Sequence, residues 1–147
     1  MKPIQVSVDV HAPADEVFAF VADFENNPKW QHGMRSCRWT SPSPHGAGST
    51  YDQVAHFLGK DIVSSFVVDE HVPGRRVKIH STSGPFPIIE TRVVEPQSDE
   101  RCRVVALVEG DAGGFFRLFG PLLRLMVQRS VRADYARLAD FRSVTSG

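Results

Sequence analysis

The chain has 147 residues, 41% apolar and 23% charged, a size and balance that suit one folded domain spanning 1–147 with its own core. Seventeen Lys plus Arg oppose seventeen Asp plus Glu, so the formal net charge is zero. A nucleic-acid binder carries a basic excess because phosphate neutralisation supplies most of its affinity, and that class of partner is set aside. The first residues lack the apolar core of a signal peptide, and no apolar run approaches the roughly 20 residues that cross a bilayer. A cytoplasmic protein without stable membrane insertion is expected.

Ile4, Val6, Val8 and Val10 alternate with polar residues, the period of a half-buried strand. Pro13 then supplies a helix-compatible φ, and Asp15 and Glu16 suit the positive end of a helix. Val17, Phe20, Val21 and Phe24 recur at helical spacing, with Phe18 widening the stripe. Asn26-Asn27-Pro28 is expected to end that helix, because the residue before proline avoids the α region. Trp30 follows in a second short helix or turn.

Strand patterns then fill the middle of the chain: 35–40, 49–58, 62–70, a strand carrying Val77, Ile79 and Ser81, another over 86–95, and a last one carrying Cys102, Val104, Ala106 and Val108. Turn signals separate them at Ser41 to Gly46, Gly59-Lys60, Pro73-Gly74, Ser83-Gly84-Pro85 and Gln97-Ser98-Asp99. Five consecutive hairpin connections predict a six-stranded antiparallel meander, with the first strand added at an edge.

The chain closes on a helix from about Gly120, preceded by a helical turn. Phe116, Phe119, Leu123, Val127, Val131, Tyr135, Leu138 and Phe141 form its continuous apolar stripe. Pro121 fits the first turn of the regular helix. Leu118, Leu122 and Leu125 lie on the other side and require a cover. The first helical region is the nearest one, and a homodimer through this face is the next.

These phrases, in this order, resemble the helix-grip superfamily of START lipid-transfer domains and Bet v 1-like proteins, above all its bacterial SRPBCC polyketide cyclase/dehydrase branch. The residues that carry the resemblance are Ala12-Pro13 to Val17-Phe18, Asp23 to Trp30, Gly48, Leu58-Gly59-Lys60, Val68 to Arg76 and Val127 to Leu138. One departure is Arg101-Cys102, where the family often has Gly-Thr before its last strand. The resemblance implies an α+β helix-grip fold: a curved seven-stranded antiparallel sheet around a long C-terminal helix, with two short helices after the first strand. It also implies a cavity between sheet and helix for a small hydrophobic or amphipathic molecule such as a lipid, polyketide or quinone-like compound. It does not imply catalysis, since fold and chemistry are separable.

The residues narrow the chemistry further. Six histidines form no HxH, HxxxH or HExxH group, and Cys37 and Cys102 form no CxxC; no metal and no cofactor is expected. His56 and His80, in strands, are expected to point outward. Trp30, Tyr51, Phe57, Phe66, Phe86, Thr91, Phe116, Phe119, Leu123 and Val127 are the candidate ligand-binding residues, with Gln53 and Ser64 as further polar groups. Glu90 and Arg92 share one strand face and are the candidate acid–base pair if the protein is an enzyme. Alternation favours the outward direction for both, with Ile89, Thr91 and Val93 inward. Three readings stay open. A carrier or binding protein leads. A cyclase, aromatase or dehydratase acting in the same cavity is second, and a protein-interaction module on the leucine face is third.

Overall fold

Seven strands form one antiparallel sheet in the order first, seventh, sixth, fifth, fourth, third, second, in which every neighbour but the first strand follows from a hairpin. A computed structural model describes residues 3–110 and 115–146, the side chains of residues 115–119 excepted. The strands are β1 (Ile4–Val10), β2 (Met34–Trp39), β3 (Thr50–Phe57), β4 (Lys60–Val72), β5 (Arg76–Ser83), β6 (Ile88–Ser98) and β7 (Arg101–Gly110). The meander and its added edge strand match the alternation of the sequence. Where β6 carries Pro96, its register with β7 shifts, since proline has no N–H for the ladder.

Alternation sends Ile4, Val6 and Val10 of β1 and Cys102, Val104 and Ala106 of β7 into one buried face. Helix α1 (Ala14–Val21) lies on β6 and β7, with Val17 and Val21 fully buried. Its start carries Pro13 in extended geometry and Asp15 and Glu16 in the first turn. Asn26-Asn27-Pro28 does not act as the expected stop. Helix α1 has already ended at Val21, and a 3-10 turn, Phe24–Asn26, leads straight into α2 (Asn27–Trp30). Pro28 sits in the first turn of α2, where a missing N–H costs nothing.

Helix α3 runs from Phe115 to Ala136 and is broken at Gly120, whose φ of 37° and ψ of −124° are not helical. Gly120 absorbs the change of direction and Pro121 opens the regular segment. A 3-10 turn (Arg137–Asp140) and α4 (Phe141–Thr145) complete the chain. Leu123, Tyr135, Leu138 and Phe141 are buried on the inner side of this segment. The outer leucines are not covered by the first helical region: α1 is spent on β6 and β7, and Leu122 and Leu125 remain 68% and 46% exposed. Leu118 lies outside the described side chains. Among the described residues, no helix is long and apolar enough to cross a membrane.

Candidate functional site

The gap between the concave sheet face and α3 holds a cavity of about 220 Å³. Its sheet wall is built by side chains two residues apart: Gln53, Ala55 and Phe57 on β3, Ile62 and Ser64 on β4, Ile88 on β6, Val108 on β7 and Ile4 on β1. Leu123, Val127, Ser130, Val131 and Asp134 of α3 form the opposite wall at helical spacing. The segment Gln31–Met34 after α2, together with Phe86, closes the sides.

Of the expected ligand-binding residues, Phe57, Phe86, Leu123 and Val127 line this cavity. Phe116 and Phe119 lie outside the described side chains. Trp30, Tyr51 and Phe66 do not line it. They form a buried aromatic layer beside it, with Tyr51 stacked on Phe24 at 4.6 Å and on Phe66 at 5.1 Å between centroids. Trp30 meets Tyr135 edge-on at 4.8 Å. Thr91 is also absent from the lining; alternation puts it on the face of β6 opposite Glu90 and Arg92.

The expected outward direction of Glu90 and Arg92 is corrected. Both point into the concave face, and Arg92 is only 2% exposed. Its guanidinium lies over the rings of Phe24 and Trp30, at 4.8 and 5.0 Å from their centroids. It donates to the carbonyl of Val21 at 2.8 Å, to Asn27 Oδ1 at 3.0 Å and to Glu90 Oε2 at 3.3 Å. Val21 ends α1, so its carbonyl is one of the unpaired acceptors at the negative end of that helix. Tyr135 of α3 donates its hydroxyl to Glu90 Oε1 at 2.8 Å. An apolar residue would fit a core better in general, but here the core supplies acceptors to both terminal guanidinium nitrogens and a carboxylate to balance the charge.

Burial is the largest single influence on Arg92 and opposes its charge, yet the Glu90 carboxylate together with the Tyr135 and Tyr51 oxygens outweighs it and holds the guanidinium above its ordinary pKa. Burial likewise pushes the Tyr51 and Tyr135 phenols well above their usual value, so both are neutral donors. Trp30 Nε1, the Tyr51 hydroxyl and Arg92 Nε are buried without hydrogen-bond partners among the described residues. With both carboxylate oxygens of Glu90 engaged, and neither member of the pair lining the cavity, the network ties sheet, α1, α2 and α3 together.

Asp134, which sequence reasoning missed, does line the cavity. Burial raises its pKa even though it accepts from the backbone N–H of His32 at 2.9 Å and from Arg137 at 2.6 Å. In the sequence it is one acid in a helix beside basic residues, with nothing to mark its depth. Gln53 and Ser64, expected as polar groups, both face the cavity and are direct cross-strand partners. His80 pairs with Asp69 at the exposed surface, in line with its expected direction; His56 pairs with Asp61 and, with His32, also borders the cavity. Among the described residues, no group of three or more His, Cys, Asp or Glu side chains could hold a metal ion.

A family model described as polyketide cyclase/dehydrase and lipid transport matches residues 1–140. No curated protein shows a significant sequence match. Among solved structures, the chain is similar to TTHA0849 from Thermus thermophilus, at 22% identity and TM-score 0.73, covering 97% of this chain and 93% of that one. The Zhui aromatase/cyclase from Streptomyces sp. R1128 superposes with TM-score 0.74 at 16% identity, covering 91% and 88%. A START superfamily protein from Mycobacterium smegmatis gives 0.72 at 17%, covering 96% and 99%. At these identities the structural likeness speaks for the helix-grip fold alone.

Proposed function

The chain belongs to the polyketide cyclase/dehydrase and lipid transport family, and from that premise we propose that it binds a small, largely apolar molecule between its sheet and α3, acting as a carrier or binding protein. In this proposal the whole chain serves as one ligand-binding domain. The observation that carries it is the composition of the cavity wall: Phe57, Ile62, Phe86, Ile88, Leu123 and Val127 surround a space interrupted by few polar groups. Pockets for small molecules are built this way. The acid–base pair the sequence offered is committed to the internal network and does not line that space, which removes the strongest argument for catalysis by Glu90 and Arg92.

The test is direct. Native mass spectrometry of protein purified without detergent looks for a co-purified small molecule. Leu123→Trp then fills the cavity from the helix side, and binding of an environment-sensitive hydrophobic dye is expected to be lost. A folded Leu123→Trp variant with unchanged dye affinity overturns the assignment.

A second reading rests on Asp134. A carboxyl in the cavity wall whose pKa is raised by burial is suited to proton transfer, and one structural neighbour is an aromatase/cyclase. An enzyme of the cyclase or dehydratase type would turn over a bound ligand and lose that turnover in Asp134→Asn while still binding it. A carrier returns the ligand unchanged.

A further inference from the structure

We propose that Gln53 and Ser64 form an uncharged hydrogen-bonding subsite that holds a hydroxyl or carbonyl oxygen of a compact, otherwise apolar ligand and discriminates against anionic molecules. The inference rests on the cavity being a ligand site, and it adds what the ligand must carry and what it must lack.

Gln53 and Ser64 sit directly opposite each other on β3 and β4 and both line the cavity. Ser64 is 3% exposed. Its hydroxyl and the Gln53 amide make no hydrogen bond to any described residue. Neither group is among the polar atoms sealed in the interior without a partner, so both reach the open cavity, where a ligand oxygen can take up their hydrogen bonds. Space for the Ser64 hydroxyl is kept by Gly84, where a Cβ would stand 2.6 Å from Ser64 Oγ. Ser64 shares the cavity lining with Phe86 and Ile62.

The chemistry offered is neutral and two-sided. A serine hydroxyl and a carboxamide together present donors and acceptors, so a ligand hydroxyl or carbonyl can be satisfied there without any change of charge. An anion finds less. The Arg92 guanidinium is held by Val21, Asn27 and Glu90, and Arg124, the one arginine or lysine in the lining among the described residues, donates to the Pro3 carbonyl. The lining also carries His32, His56, Glu109 and Asp134; Asp134 is paired with Arg137, which leaves Glu109 as the carboxylate that would repel a carboxylate or phosphate. Size sets the rest. A dry apolar cavity of about 150 Å³ holds a benzene ring, so a space of about 220 Å³ suits one substituted ring or two fused ones.

Calorimetric titration of the full chain with naphthalene, naphthol and naphthoate tests this. Naphthol is expected to bind about fivefold or more tighter than naphthalene, the worth of one or two neutral hydrogen bonds, and naphthoate weakest of the three. The double variant Gln53→Leu, Ser64→Ala should abolish the preference for naphthol over naphthalene while still binding naphthalene. Naphthalene and naphthol binding equally well to the wild-type chain, or naphthoate binding best, overturns the subsite and leaves the cavity reading standing. Failure of all three probes to bind the wild type overturns the cavity reading and this inference with it. The wild-type comparison decides the question even if the double variant does not fold.

Discussion

Tyr135 on α3 donates its hydroxyl to Glu90 on β6 at 2.8 Å, and Glu90 in turn accepts from Arg92 two residues along the same strand. Forty-five residues separate the first two in sequence, and their meeting fixes the helix against the sheet at one end of the cavity. The bond also explains why a buried arginine is tolerated: Glu90 neutralises its charge, Tyr135 satisfies the remaining carboxylate oxygen, and Val21 and Asn27 take up one guanidinium nitrogen.

Breaking that arrangement from one side is expected to be more damaging than removing it. Arg92→Met leaves Glu90 charged among apolar neighbours and should cost about 3–5 kcal/mol. The double variant Arg92→Met, Glu90→Leu should recover part of that loss, because the orphaned charge is gone. Urea unfolding of the two variants and the wild type measures both values. A double variant less stable than the single one would show that the pair is net stabilising here.

Asp134 should make stability depend on pH with a sign opposite to ordinary acid unfolding. Its folded pKa is raised above the ordinary value of 3.8, so the native state holds the proton more tightly than the unfolded chain. The contribution is present in full below the unfolded pKa and is lost as pH rises through the folded one. Asp134→Asn cannot titrate, so the stability of the wild type relative to this variant is expected to fall as pH climbs out of the acid range. Thermal melts of both across that range decide it, and a difference that grows with pH is the contrary result.

Both thiols should be silent in the native protein. Cys37 is buried, and desolvation lifts its thiol pKa from 9.0 to about 12; Cys102 is also raised by burial. The thiolate is the reactive form, so a chromogenic disulfide reagent at mildly alkaline pH should label neither residue until denaturant unfolds the chain. Rapid labelling of either thiol without denaturant would contradict the buried placement.

The hairpin between β3 and β4 carries strain that a single substitution can relieve. Leu58 has φ of 53° and Gly59 φ of 77°, the doubly left-handed geometry of a type I′ turn that favours Asn-Gly. Leu58 is 57% exposed, so little packing is lost on replacing it. Leu58→Asn should stabilise the protein by about 1 kcal/mol, seen as a higher urea midpoint at unchanged slope. A lower midpoint would mean that Leu58 makes a contact worth more than the strain.

By itself the sequence determined the order of elements. Strand alternation, Pro and Gly at turns and the long apolar stripe ending at Phe141 are local signals, each carried by residues a few positions apart, and they sufficed for the meander, the edge strand and the closing helix. They also marked Phe57, Phe86, Leu123 and Val127 as residues of the sheet–helix gap. Sequence could not decide which way Glu90 and Arg92 point, because the hydrophobic rule treats a buried arginine as unpaired, and its partners at Val21, Asn27 and Glu90 are assembled around it only by the tertiary fold. The same limit hid Asp134, whose depth depends on the His32 segment packing against α3, and it left Tyr51, Phe66 and Trp30 as core or cavity alike. Periodicity reports which face of an element is apolar. Whether that face meets a neighbour or an empty space is set by the curvature of the sheet and the path of the helix, which no local pattern encodes.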